Sequence, residues 1–279
     1  MTVRPASTTS GAGPETLGDG GRLAALLDRP RSPGPASGLR CLLAQARVEF
    51  LLTVRQGENV LVTLVLPLIL LVFFASVRLD RARGRPAVDF LVPGVLTLAV
   101  MSSGMVTLGI ATGYQRAYGV LKRLGGSPLT RAGLLGAKAL AVLGLELLQV
   151  TLVCAVAALA YGWRPAGDLV LASALLLGGA ATFAACGMLL AGGLRAEVTL
   201  GVANGLYLMF LILGGVVVPV SHLPAVVQPL ARVLPVTALS QSLRGALSAS
   251  GHVALSDGAL LIAWGVVLAA LAVRWFRWE

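Results

Sequence analysis

The chain has 279 residues, 57% of them hydrophobic and only 12% charged, and its mean hydropathy is +0.86. Soluble domains carry a lower apolar share and about twice the charge, so the composition excludes a soluble globular protein and indicates an integral membrane one. A net charge of +10 would suit a nucleic-acid binder, but in a membrane chain the placement of basic residues reports orientation, and no nucleic-acid partner is expected.

Residues 1–37 hold Pro5, Pro14, Pro30, Pro33 and Pro35 among many Gly, Ser and Thr, without an apolar run of signal-peptide length. They read as a disordered cytosolic tail. From 39 to 56, Leu39, Leu42, Leu43, Ala46, Phe50 and Val54 recur at three- and four-residue steps, while Arg40, Gln45, Arg47, Glu49 and Thr53 take other faces. This predicts a helix lying in the membrane interface. A straight cytosolic extension of the first membrane helix is the alternative.

About 20 apolar residues span the hydrocarbon core as a helix, and six segments qualify: 59–77, 90–113, 139–161, 169–194, 198–220 and 255–273. A transmembrane barrel would need short alternating segments, and the chain has none. The expected fold is therefore an all-α integral membrane domain over 38–279. Pro67 interrupts the first span, where neighbours can satisfy the freed carbonyl. The second opens on Asp89 to Leu96 (DFLVPGVL), with Pro93 setting the helix start and Gly94 allowing close packing.

Between the second and third spans, Arg116 to Lys138 reads RAYGVLKRLGGSPLTRAGLLGAK, a basic island broken by Gly and Pro. Such a loop is suited to gripping a cytosolic partner. In the third span Glu146 lies eight residues beyond Lys138, roughly 12 Å along the helix, where an ionised carboxylate costs on the order of 3 kcal/mol. Gln149 follows at i+3 on the same face. Two readings stand: Glu146 and Gln149 line a translocation path, or a protonated Glu146 bonds Gln149 or a neighbouring helix as packing. Asn204 sits inside Gly201–Gly205, a G-x-x-x-G that serves either packing within the chain or a subunit interface, and it is a further path candidate. Four prolines (Pro219, Pro224, Pro229, Pro235) rule out one spanning helix over 219–247, yet the stretch is too apolar for a free loop. Short helices dipping into the outer leaflet meet both constraints. Asp257 marks the start of the sixth span.

No G-x-x-x-x-G-K-[ST] loop is present, so ATP hydrolysis would need a separate subunit. His222 and His252 stand alone, Cys41, Cys154 and Cys186 form no framework, and no membrane histidine or lysine is placed to activate a serine. No metal site, bound cofactor or catalytic residue is expected, which argues against a membrane-embedded enzyme. A receptor or anchoring scaffold would need neither the basic loop nor the proline-broken segment.

The loop resembles that of type-2 ABC exporter permeases, R-E-x-G, L-x-R-L, T/S-P-L and G-x-K, in Arg116, Gly119, Leu121, Arg123, Leu124, Ser127, Pro128, Leu129, Gly136 and Lys138. Ala117 stands where that family usually carries an acidic residue. The family's D-F/Y-x-x-P-G opening is matched at Asp89 to Gly94, and its G-x-x-x-P, x-L-P, L-P-x-T order at Gly215, Pro219, Leu223, Pro224, Leu234, Pro235 and Thr237. The resemblance covers roughly 40–279. It implies six spans, an interfacial helix at 39–56, re-entrant outer-leaflet helices in 219–247 and a coupling loop at 114–130. Arg116, Tyr118, Gly119, Lys122, Arg123, Ser127 and Pro128 would then engage two copies of a separate ATPase, which uses the ATP and Mg. A permease homodimer or pseudo-dimer surrounded by membrane lipid is also implied, closest in look to daunorubicin-resistance drug exporters of the bacterial cytoplasmic membrane. Export of polysaccharide or lipid-linked glycan is the alternative cargo.

With the N-terminus inside, 15 basic residues fall on the cytosolic side and 7 outside, so both termini are expected in the cytosol. The Arg78 to Arg85 cluster, outside in this scheme, runs against the trend; it reads as a solvated loop or as a site for anionic headgroups.

Overall fold

The computed structural model describes residues 37–55, 57–77, 87–120, 131–249 and 251–275, and among them there are helices and no strand. All but Ser37 belong to the compact unit Gly38–Glu279; the expected tail, 1–37, lies outside the described residues except for Ser37. In chain order the helices are α1 (Gly38–Arg55), α2 (Gly57–Val77), α3 (Ala87–Met101, a π-helical turn Ser102–Thr107, then Leu108–Ala117), α4 (Arg131–Tyr161), α5 (Leu169–Gly193) and α6 (Ala196–Leu213). A 3-10 turn Val220–His222 leads to α7 (Gln228–Val233), α8 (Pro235–Leu247) and α9 (Leu255–Trp275).

Among the described residues, five stretches are long and apolar enough to cross a membrane: Val88–Ala117, Gly136–Tyr161, Leu169–Gly193, Ala196–Leu213 and Leu255–Trp275. In α2 the apolar stretch is the shorter Thr63–Ser76. A helix that is apolar all round belongs inside a bundle, and α3 is that helix: Val92, Leu98, Ala99, Val100, Met101 and Met105 are fully buried. Phe183 of α5 and Leu239 and Leu243 of α8 pack into the same core.

Glycines set the closest approach. A Cβ on Gly187 of α5 would lie 2.6 Å from the carbonyl oxygen of Gly104, inside the π turn, and one on Gly109 would lie 3.1 Å from Gly187 Cα. Further along, Arg116 bonds the carbonyls of Gly192 and Leu194. The contacts advance together along both chains, so α3 and α5 run in the same direction, backbone against backbone. Gly94 serves the close approach expected of it, since any Cβ there would collide with the Val216 carbonyl. Pro93, however, does not start the helix. α3 begins at Ala87 and carries Pro93 inside it, where the missing N–H leaves the Asp89 carbonyl without its helical donor.

The apolar run expected to continue to Val220 ends as helix at Leu213. Gly215 takes φ +64, a left-handed conformation open to glycine, and the chain turns back. Pro229 and Pro235 sit in the first turns of α7 and α8, where a missing N–H costs nothing. Arg244 of α8 binds this turn: its Nη2 donates to the carbonyls of Gly215 (2.7 Å) and Val216 (2.9 Å), its Nε to that of Phe90 (3.3 Å), and its guanidinium covers the Phe90 ring at 3.8 Å. Trp264 Nε1 ties α9 to the Val233 carbonyl at 2.8 Å. Asp168 caps α5, its Oδ1 accepting from Val170 N and Leu171 N at 2.8 and 3.0 Å.

α1 packs against α4. Leu42 rests on Gly136 and Phe50 on Gly144 of α4, each within contact distance of an added Cβ. Eight residues advance on both helices, so α1 runs alongside α4 for about 12 Å; a helix crossing α4 would touch it at one place. Ala46 and Glu49 are buried, whereas Leu39, Leu43 and Val54 are exposed. Glu49, which the periodicity groups with the polar residues, is buried because the Lys138 ammonium lies 3.0 Å from its Oε1.

Candidate coupling and translocation site

At the end of α3 and the start of α4, four polar side chains meet. Lys138 Nζ lies 3.0 Å from Glu49 Oε1 and bonds Gln115 Oε1 as well. Gln115 Nε2 donates to Glu49 Oε2 at 3.3 Å, and Gln45 Nε2 to Glu49 Oε1 at 3.1 Å. A buried charge must be paired and further hydrogen-bonded, and every partner here serves that need. Because Gln115 stands just before the basic loop and Lys138 is its last residue, the knot joins both feet of the loop to each other and to α1.

Of the residues expected to couple to a partner, Arg116, Tyr118 and Gly119 are described, while Lys122, Arg123, Ser127 and Pro128 lie outside the described residues. Arg116 is occupied inside the chain. Its Nη1 donates to the Gly192 carbonyl at 2.6 Å and its Nη2 to that of Leu194, closing the carbonyl end of α5 as a basic residue there should. Tyr118 is 72% exposed and stacks on Tyr114 with ring centres 6.0 Å apart. Gly119 turns the chain at φ +69.

A groove of about 800 Å³ opens between α2, α3 and α6. Leu66, Val106, Ile110 and Leu208 give it apolar walls, and Thr63, Ser102, Thr107, Asn204 and Tyr207 place hydroxyl and amide groups among them. Tyr114, Gln115 and Tyr118 lie at one end. Asn204 is exposed here, its Nδ2 donating only to its own helix, to the Leu200 carbonyl at 2.9 Å. Gly201 and Gly205 beside it are exposed, and a Cβ on either would meet nothing within 4 Å. Among the described residues the G-x-x-x-G packs against nothing within this chain.

Glu146 and Gln149 stand behind this wall rather than in it. Gln149 Nε2 donates to the Thr63 carbonyl at 2.9 Å, and Thr63 Oγ1 in turn faces Thr107 Oγ1 at 3.4 Å. Glu146 is 4% exposed, and neither its Oε2 nor Gln149 Oε1 has a hydrogen-bond partner. The structure thus brings Gln149 to the back of the groove and Asn204 to its front, and leaves Glu146 enclosed among neither.

Glu49 and Gln115 escaped the sequence reading, and Lys138 entered it only as part of the basic loop. The available signal was scarcity: Glu49 is the single acidic residue of α1, and Lys138 is one of two lysines in the chain. No curated protein matches the sequence. Residues 41–247 match the family model of the ABC-2 type transporter, a span reaching from α1 through α8 and holding both the knot and the groove. The chain belongs to the ABC-2 type transporter family, as a multi-pass membrane permease whose partner is a separate ABC ATPase subunit.

Proposed function

We propose that this permease exports a hydrophobic or amphipathic compound (a drug, an antibiotic or a lipid-like molecule) across the bacterial cytoplasmic membrane, as a dimer served by two copies of its ATPase. The groove carries this reading. Apolar walls interrupted by single hydroxyl and amide groups suit a guest with a hydrocarbon body and a few polar atoms, and the groove opens beside the bare Gly201/Gly205 face of α6. A second copy packed there would join two grooves into one central path.

ATP-driven closure of the ATPase pair would push on the 114–130 loop, with Tyr118, Lys122 and Arg123 at the contact, and the Glu49–Lys138 knot would carry the push to α1. In this reading α2 is the first of six spans, both termini are cytosolic, and α7 and α8 dip into the outer leaflet. The permease binds no cofactor of its own; ATP and Mg are used by the partner.

Polysaccharide or lipid-linked glycan export is the second reading. The stacked Tyr114–Tyr118 pair at the end of the groove favours it, because aromatic faces also stack on sugar rings. The test is ATP-dependent accumulation of lipophilic dyes in inside-out vesicles containing the permease and its ATPase. Uptake by the parent, several-fold reduced in Asn204→Leu and Thr107→Val at equal permease level, is the expected result. No dye uptake, with ATP-dependent movement of a lipid-linked oligosaccharide, would transfer the assignment to glycan.

A further inference from the structure

Most hydroxyl groups in the long helices of this chain turn back on their own backbone. Thr97 Oγ1 donates to the Pro93 carbonyl at 2.9 Å, Ser103 Oγ to that of Val100 at 3.1 Å, Thr151 Oγ1 to that of Leu147 at 2.7 Å and Thr182 Oγ1 to that of Gly178 at 2.8 Å. Such a bond shields a polar group from hydrocarbon. Ser102 and Thr107 depart from the rule. Among the described residues the Ser102 hydroxyl has no hydrogen-bond partner, and Thr107 Oγ1 reaches only Thr63 Oγ1, at 3.4 Å, long for a pair of hydroxyls.

These two residues open and close the π-helical turn of α3, and the turn is what brings them together. Five residues on an α-helix sweep ~500°, which leaves the first and last side chains ~140° apart. In a π turn the hydrogen bond runs from residue i+5 back to residue i, as the Leu108 N–H does to the Ser103 carbonyl, so side chains five apart return to one side. Both accordingly line the groove together with Val106, while Gly104 and Met105 in the same turn meet Gly187 of α5. No Asp, Glu, Lys, Arg or His is among the described residues that line the groove. A hydroxyl carries one hydrogen and two lone pairs, and in apolar surroundings that hydrogen needs an acceptor.

We propose that the π turn is the recognition element of the groove, and that Ser102 and Thr107 together donate to a carbonyl or ether oxygen of an uncharged guest. An ion would find no opposite charge among these walls, which is costly, and a pure hydrocarbon would leave both hydroxyls unpaired. The inference rests on the groove being the cargo path and narrows what that path takes.

The complex of permease and ATPase in lipid nanodiscs tests it with three lipophilic probes: Nile red, which is uncharged and bears a carbonyl, the hydrocarbon diphenylhexatriene, and the cation tetraphenylphosphonium. Nile red should stimulate ATP hydrolysis at the lowest concentration. Ser102→Ala and Thr107→Val should each raise its half-maximal concentration about fivefold, the loss of one hydrogen bond. Thr97→Val, which removes a hydroxyl bonded to its own helix, should match the parent. In a cysteine-free background, Nile red should protect both Ser102→Cys and Thr107→Cys from a membrane-permeant maleimide. Protection of one alone would put the two residues on different faces and overturn the proposal. A parental response to Nile red in both Ser102→Ala and Thr107→Val, or stimulation by the other probes in its place, would also overturn it while leaving the cargo path standing. No stimulation and no protection by any of the three would remove the groove from the path, and the proposal with it.

Discussion

Lys138 Nζ and Glu49 Oε1 lie 3.0 Å apart across 89 residues of sequence, both side chains nearly closed off from solvent. Breaking such a pair from one side strands the other charge, which costs about 3–5 kcal/mol, whereas removing both can be close to neutral. Glu49→Leu and Lys138→Met should each lower the thermal stability of the purified permease strongly, and the double variant should recover most of the loss. A double variant as unstable as the sum of the singles would show that the two residues act independently.

The glycines of α5 separate by their surroundings. A Cβ at Gly187 would press on the Gly104 and Met105 carbonyl oxygens, whereas one at Gly178 meets nothing within 4 Å. Gly187→Ala should cost about 1–3 kcal/mol through overpacking, and Gly178→Ala should be neutral or mildly stabilising, since alanine is the better helix former. Unfolding midpoints of the two variants in one detergent give the comparison, with equal midpoints counting against backbone contact.

The basic residues at the loop divide into two kinds. Arg116 closes the end of α5 through two carbonyls, so Arg116→Ala should lower stability by about 1–3 kcal/mol and reduce transport in proportion to folded protein. Charge reversal at Lys122 and Arg123 should instead leave insertion at the parental level and abolish substrate-stimulated ATP hydrolysis by the complex. Normal stimulation in K122E/R123E would remove these two residues from the ATPase contact.

Glu146 presents a buried carboxylate oxygen with no partner. Glu146→Leu removes that oxygen and should ease insertion by about 3 kcal/mol, visible as higher permease yield. If the carboxylate serves the path, efflux per folded molecule falls in Glu146→Leu and changes rate or substrate range in Glu146→Gln. Parental efflux in both variants would assign Glu146 to packing alone.

Five of the six expected spans were legible because hydrocarbon imposes length and apolarity on each of them separately, and both can be counted along the chain. Gly94 was legible for a related reason: a glycine beside a proline at a helix opening announces a close approach. Residue partnerships were not. Periodicity assigns Glu49 to the polar side of α1, but a carboxylate turns towards the nearest buried ammonium, and nothing in the local sequence says that Lys138 is near. The early end of α6 shows the same limit: Leu213 to Val220 remains apolar, and only the Gly214–Gly215 pair marks where the backbone reverses. The G-x-x-x-G at Gly201 had two uses on sequence alone, and among the described residues no neighbour lies within 4 Å of a Cβ at either glycine.

The backbone contact between α3 and α5 bears on motion. Helices that meet through side chains can slide by changing rotamers, but the carbonyls of Gly104 and Met105 sit against Gly187 with no side chain between them to rearrange, and Arg116 fastens the same two helices further along. A displacement applied where α3 ends would therefore carry α5 with it, and relative movement would be left to the seams against α6, α1 and α2, where the groove opens. Spin labels on the outer ends of α3 and α5 should hold a constant separation through the ATP cycle while a pair spanning α3 and α6 changes; a changing α3–α5 distance would place the moving seam inside the core.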